Sequence, residues 1–458
     1  MTITNEVRRL RKVMVCRPGT EWSRIRPLER ERLLVDDTLW QVGAEREHQT
    51  FRTLLTHLLG PQAVLDMRTL LVQAMKEAKP SQVEDLIDSV VLLNRRGRRL
   101  DANPDRLNRL HDMLRKSLRT LVDKPQQLVE HLIAGVPMPH TFAAGPGHEL
   151  DLMLDPVPNL MFARDPLARI GSELAITSMA HSARWREPIL AGFVASILKD
   201  VDLGSRELLL DGPTKLVNPD EPTPRSYPTM EGGDILVLSS SIVACGWSER
   251  SNLDGARELA RGLRRARIKD SDKTPFETLV VVRMPRRRAT MHLDTIFSMC
   301  DEREALVYPR MLLPGAAEQV TAYAIDLTAS PNDEVHLVPM GAFLDALSSL
   351  EFELKAIPAG GRHPLHQDRE QWTDGANVLA LRPGLVIGYE RNRRTSAALS
   401  ENGYEIASAE QMIALSANEA EAIMSDNDRK IFIALAATEL TRARGGPHCL
   451  SRDLVRDP

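Results

Sequence analysis

The sequence predicts an α/β fold carrying an inserted all-helical domain, on two observations. A unit made of an acidic motif, a strand hairpin and a charged helix recurs from about residue 160 onward. Between about Leu71 and Gly135 the pattern changes, with apolar residues at helical spacing and few strand signals. The expected division is residues 1–70 and 138–458 as the α/β body and 71–137 as the insert.

Taken in order, Lys12–Cys16 (KVMVC) reads as a strand closed by the turn Arg17-Pro18-Gly19. Leu33–Asp37 (LLVDD) and the stretch through Leu58 read as helix or loop, and Ala63–Met67 as a second strand. Within the insert, Val83–Leu93 and Leu107–Leu121 carry helical apolar spacing. The cluster Arg95-Arg96-Gly97-Arg98-Arg99 reads as a solvated loop. Asp165 leads through a turn to the strand Leu174–Ser178. Asp234 precedes ILVL, a Ser239–Ser241 turn, IVACG and a helix over Asp254–Ile268. Asp374-Gly-Ala-Asn377 leads into VLAL, the turn Arg382-Pro383-Gly384, LVIGY and a helix over Asn392–Asn402. The acidic motifs are unevenly spaced, which excludes a strict short repeat and permits diverged copies of one module. If such modules surround an axis, their acidic ends converge at one end of it.

The 458 residues are 43% hydrophobic and 27% charged, an ordinary globular composition. A formal charge of −4 with 4% aromatic residues gives no case for nucleic acid or an anionic membrane as partner. The start, MTITNEVRRLRK, lacks the apolar stretch of a secretory signal, and no run approaches eighteen apolar residues. Cys16, Cys245, Cys300 and Cys449 have no paired spacing and read as reduced thiols in a cytoplasmic protein.

Four polar constellations stand out: Asn159-Leu-Met-Phe162-Ala-Arg-Asp165-Pro, Glu231-Gly-Gly-Asp234, His292-Leu-Asp294, and Arg444-Gly-Gly-Pro-His-Cys449. Each alone is weak, since Asp-Pro and Gly-Gly pairs mostly make turns. His292 and Asp294 sit at strand spacing, which sends both side chains to one face. Together the four describe one sort of site. Several carboxylates around a thiol disfavour an anionic substrate and oppose thiolate formation. They suit a cation with many N–H donors, because carboxylates accept the planar fork of a guanidinium in pairs. A thiolate can attack the guanidinium carbon once the fork is held and the departing nitrogen can be protonated. His363 and His366, in GGRHPLHQD, have no companion at zinc-ligand spacing, so no metal is expected there. The same holds for His292 with Asp294, where a nucleophilic thiol makes a metal redundant.

LLVDD (Leu33–Asp37), NLMFARDP (Asn159–Pro166), EGGD (Glu231–Asp234), SER (Ser248–Arg250), HLDTIF (His292–Phe297), QWTDGAN (Gln371–Asn377) and RGGPHC (Arg444–Cys449) resemble bacterial arginine deiminases. The motifs occur in that family's order and cover nearly the whole chain. The resemblance implies a pseudosymmetric α/β propeller of five ββαβ modules with the site at its centre. It also implies hydrolysis of free L-arginine to L-citrulline and ammonia without metal or organic cofactor, in a homo-oligomer (dimer or tetramer). By motif, Cys449 would be the nucleophile and His292 the proton shuttle. Asp165 and Asp294 would clamp the guanidinium, and Glu231 would orient His292. Arg184 and Arg250 would hold the substrate carboxylate with Asn159 nearby, Asp234 would also bind substrate, Phe162 would pack on its aliphatic stem, and Arg444 would sit on a gate shared with LLVDD. Met161, Ala163, the stretch Asp211–Pro228 and GGRHPLHQD depart from the family pattern. They leave open a modified arginine or another guanidino compound as substrate. An amidinotransferase on the same scaffold, or a silent arginine-binding protein, are the other readings; neither Cys449 nor His292 has been lost.

Overall fold

The computed structural model of the protein describes residues 2–97, 104–138, 152–199, 201, 205–208 and 227–458. Among these residues the strands form six sheets, and five of them share one pattern: an antiparallel pair extended by a parallel strand. Ile235–Val237 pairs antiparallel with Ile242–Trp247, which then pairs in parallel with Thr278–Arg283. Leu379–Arg382, Leu385–Tyr389 and Ile431–Leu435 repeat this, as do Phe297–Asp301, Glu304–Val307 and Lys355–Pro358. Leu167–Ile170 and Glu173–Ile176 form a fourth pair, joined by Ser205–Leu208. A parallel neighbour requires a crossover, and helices supply it. Leu253–Lys269 follows Ile242–Trp247, and Arg186–Ile197 follows Glu173–Ile176. Asn252 caps the first of these helices, its side chain accepting from Gly255 N.

The fifth such sheet joins the two ends of the chain. Ser451–Arg456 runs antiparallel to Leu10–Val15, which pairs in parallel with Val64–Asp66. Its strands bury Val13, Met14, Val15 and Leu454 completely. The first strand ends at Val15, just before Arg17-Pro18-Gly19, and Val64–Asp66 forms where Ala63–Met67 was expected.

Between residues 67 and 134 the described chain is helical: Met67–Glu77, Pro80–Gly97, Pro104–Arg119 and Pro125–Ala134. Three of these begin on proline, which needs no N–H partner in a first turn. Leu107, Leu110, Leu114 and Leu118 are buried at i, i+3, i+7, i+11 of Pro104–Arg119, a single stripe facing its neighbours. Those helices share one hydrophobic cluster with Leu154, Leu160, Leu167 and Leu174 of the α/β body, so packing runs through the segment without a break. The helix Pro80–Gly97 takes in residues 95–97, which sequence alone reads as a loop; helical continuity carries into the start of the charge run. Residues 98 and 99 lie outside the described residues, as does 211–228 apart from its last two positions. No helix among the described residues is long and apolar enough to cross a membrane.

Candidate active site

Each acidic motif folds as a tight turn immediately before a hairpin. Pro158–Met161, Gly232–Asp234 and Leu293–Thr295 are short 3-10 turns, and Asp374–Asn377 precedes the hairpin beginning at Leu379. His292 and Asp294 therefore do not lie on a strand, as their spacing suggests. Asp234 Oδ1 accepts from Leu293 N at 2.8 Å and Thr295 Oγ1 donates to His292 O at 2.6 Å. Those two bonds curl the segment into a turn that presents both side chains inward.

Cys449 sits in the turn leading into the last strand. Gly445 and Gly446 are required there, because a Cβ would lie 2.4 Å from the Phe162 ring and 2.2 Å from Asn377 O respectively. Leu450 N donates to Gly446 O, and Arg164 Nε donates to His448 O at 2.7 Å, pinning the turn. The thiol itself is buried. Asn377 Nδ2 donates to Cys449 Sγ at 3.2 Å while Asn377 Oδ1 accepts from Cys449 N at 3.0 Å. Sγ in turn donates to Asp294 Oδ2 at 3.3 Å.

A narrow cavity with only about 10 Å³ of free space opens in front of it, lined by Asn159, Phe162, Asp165, Arg184, Arg250, His292, Asp374, Arg444 and Cys449 among others. His292 Nε2 meets Glu231 Oε2 at 2.9 Å, and Nδ1 lies 3.8 Å from Asp165 Oδ1. The ring packs so closely on Gly233 that a Cβ there would be 2.7 Å from Nδ1. Asp165 Oδ1 and Asp294 Oδ1 are buried and have no hydrogen-bond partner. Buried carboxylate oxygens left unpaired are costly; Asp165 lines the cavity, whereas Asp294 and Glu231 do not, Asp294 standing beside it in contact with Cys449 Sγ.

The arginines divide by what they already hold. Arg184 donates to Glu187 at 2.9 and 2.6 Å, to Asp165 Oδ2 at 2.7 Å and to Asn159 O at 3.3 Å. With its donors engaged, Arg184 is not free in this arrangement to hold a substrate carboxylate, the part the family resemblance gives it. Arg250 reaches Glu231 Oε2 at 3.5 Å. Arg444 is buried with Nε and Nη1 unpartnered. Asp234, expected at the substrate, does not line the cavity. Its Oδ2 accepts from Ser248 Oγ and Ser251 Oγ, both at 2.6 Å, and its Oδ1 holds Leu293 N. It braces the His292 turn. Asn159 lines the cavity while its Nδ2 donates to Leu33 O at 2.7 Å, tying the LLVDD segment to the site.

These charges shape one another. Burial pushes the Cys449 thiol far above its ordinary range, and the carboxylates of Asp294, Asp165 and Asp374 push it further. Burial works against the His292 imidazolium, but Asp165 and Glu231 outweigh it and carry the ring to about 9. Glu231 is held well below the carboxylate range: burial opposes this, and Arg250 and His292 prevail. The site thus holds both a neutral thiol and a cationic imidazole.

Asp165, Glu231 and His292 also form the one cluster among the described residues whose ligand atoms, within 4.8 Å of one another, could hold a metal. Two features argue against that use. Arg184 and Arg250 already bring cationic guanidinium groups to the same carboxylates, and a protonated imidazole offers no lone pair. His363 and His366, for their part, pack ring against ring at 5.3 Å. His363 caps the helix Pro364–Trp372 through Leu365 N.

Sequence reasoning missed three contributors. Asn377 touches the thiol, although its motif was visible. His448 Nδ1 meets Asp294 Oδ2 at 2.9 Å and its Nε2 lies 3.4 Å from Glu6. Arg288, in the cavity wall, grips Asp36 at 3.0 Å and Leu34 O at 2.8 Å. Nothing local marks Glu6 or Arg288; only chain folding brings them here.

The α/β scaffold thus gathers a buried cysteine, carboxylates with unpaired oxygens and a cationic histidine in one site. The sequence family described as arginine deiminase matches residues 31–456. An arginine deiminase of Mycolicibacterium gilvum is 32% identical over 99% of this chain and 98% of its own length. One of Bacillus cytotoxicus is 30% identical with the same coverage. The chain belongs to the arginine deiminase family. Among solved structures, the amidinotransferase SxtG of Microseira wollei covers 100% of this chain and 97% of its own at 15% identity. Its TM-score of 0.44 is too low to add to the assignment.

Proposed function

We propose that the protein hydrolyses free L-arginine to L-citrulline and ammonia through a covalent S-alkylthiouronium on Cys449. The observation that carries this reading is the pair of buried, unpartnered oxygens, Asp165 Oδ1 and Asp294 Oδ1, in the carboxylate ring around the thiol. A guanidinium between them pairs both and neutralises the field that keeps Cys449 protonated. Substrate binding therefore favours release of the Cys449 proton to solvent, which creates the nucleophile; the thiol takes a proton back at the end of the cycle. The thiolate attacks the guanidinium carbon, and His292 gives its proton to the departing nitrogen, which leaves as ammonia. The cationic thiouronium stays paired with the two aspartates. Neutral His292 next takes a proton from water, and the hydroxide adds to the same carbon. Collapse forms the ureido carbonyl and expels the thiolate. The hydroxyl proton is released, and ammonium carries the net charge away.

The five sheets of shared pattern support a reading as five modules of one propeller around this site, with 71–137 as an insertion. Four free cysteines, all buried, support a reducing, cytoplasmic setting. A homo-oligomer is part of the same proposal, and size-exclusion chromatography with light scattering tests it.

Incubation with L-arginine should yield citrulline and ammonia in equal amounts, at a rate indifferent to EDTA. Ornithine formed only when a second amine is supplied would make the protein an amidinotransferase. Reversible loss of activity with the chelator would point instead to a metal on Asp165, Glu231 and His292.

The histidine offers a second check. Its raised value means that the imidazolium persists through neutral pH and disappears as pH rises through about 9. Its contribution to stability follows the same sign. It is fully present below the ordinary 6.5 and is lost across the window up to about 9. NMR titration of the His292 ring in the ligand-free protein should give a midpoint near 9, and one at or below 6.5 would contradict the charge arrangement.

A further inference from the structure

We propose that Trp372 is a positioning residue for substrate recognition: its ring is the shelf that holds the Arg444 guanidinium toward the carboxylate end of the bound amino acid. The inference rests on the arginine reading above.

Trp372 is the last residue of the helix Pro364–Trp372 and is 46% exposed, unusual for so large an apolar ring. Its exposure has a local explanation. The Arg444 guanidinium carbon lies 3.8 Å from the centre of the ring, a stacked cation–π geometry. Arg444 is buried beneath it and lines the cavity. The tryptophan does not line the cavity; it covers the arginine.

Arg444 needs such support. Its backbone has φ +65°, a left-handed conformation uncommon for a residue with a side chain. Among the described residues, its one side-chain hydrogen bond runs from Nη2 to Ala289 O at 3.1 Å. Nε and Nη1 are buried without partners. Those two N–H groups leave the guanidinium on opposite flanks, and either can donate a single charge-assisted bond to a carboxylate in the cavity. Arg184, by contrast, has its donors engaged by Glu187, Asp165 and Asn159.

The shelf itself is rigid. Gln371 Nε2 donates to the same Ala289 O at 2.6 Å, so the end of the helix and Arg444 share one acceptor. Glu370 accepts from Arg394 N and Thr395 N at 2.8 Å each, fastening the helix to the next one. Asp374 adds negative charge beside Arg444 from the turn that follows. The ring and the Ala289 carbonyl hold the guanidinium, and Nε and Nη1 stay unpartnered.

The test is steady-state kinetics of the full-length protein with L-arginine. Trp372→Ala should raise KM roughly 3- to 30-fold while kcat stays within about twofold, because recognition and not chemistry loses its support. Trp372→Phe keeps a ring under the guanidinium and should recover most of the loss. Unchanged KM in Trp372→Ala would overturn the inference. So would a fall in kcat at constant KM, or a Phe variant no better than Ala. Since the side chain is half exposed, thermal melting should show both variants folded, and the Phe variant decides if Ala does not fold. Failure of the underlying reading is separate and visible beforehand: the wild-type protein would then form no citrulline from L-arginine.

Discussion

Replacing Cys449 by alanine should abolish citrulline and ammonia formation, by roughly 10⁴-fold or more, while arginine binding survives. The asymmetry follows from the geometry. Sγ contributes one donor to Asp294 and accepts one from Asn377. The groups proposed to hold the substrate, Asp165 Oδ1, Asp294 Oδ1 and Arg444, are untouched by its loss. Truncation even removes a proton donor from Asp294 Oδ2, which keeps its bond to His448. Calorimetry on Cys449→Ala should therefore detect L-arginine binding where product assays detect no turnover. Turnover within tenfold of wild type would remove the thiol from the chemistry altogether.

Asp294→Asn should produce two opposite effects in one protein. The carboxylate lies behind the thiol and raises its proton affinity by charge and by hydrogen bond. Its removal eases thiolate formation, so alkylation of Cys449 by iodoacetamide at neutral pH without added arginine should accelerate. Turnover should move the other way. The substrate guanidinium loses one of its two buried anionic partners, a change worth about 3–5 kcal/mol, or roughly 10²- to 10⁴-fold in kcat/KM. Asparagine keeps the shape, so the loss reports charge and not packing. If alkylation slowed together with catalysis, Asp294 would be activating the thiol instead of restraining it.

Much of this protein was written locally. Apolar spacing announced the helices at 83–93 and 107–121, and the ILVL and IVACG hairpin formed where its Ser239–Ser241 turn placed it. Glycines at 445 and 446 marked a turn too tight for side chains, beside the one cysteine followed by a polar strand. These features depend on neighbours a few residues away, which is why a linear reading reaches them. The family motifs extended that reach to the named site residues, though not to what each one touches.

Contacts across hundreds of residues were decided only by folding. The sheet joining Leu10–Val15 to Ser451–Arg456 brings Glu6 to His448, and no periodicity in either segment foretells the pairing. Asp234 was placed at the substrate by its family motif alone; its oxygens accept from Ser248, Ser251 and Leu293. His292 and Asp294 looked like strand neighbours until that same Asp234 bent them into a turn. Arg184 and Arg444 are equivalent as letters, yet one has its donors engaged by Glu187 and Asp165 while the other keeps two free. Sequence determined which chemical groups the chain carries and where it bends. Tertiary structure decided which of those groups remain unsatisfied, because hydrogen bonds and desolvation are settled by three-dimensional neighbours, and a site acts through what it leaves unpaired.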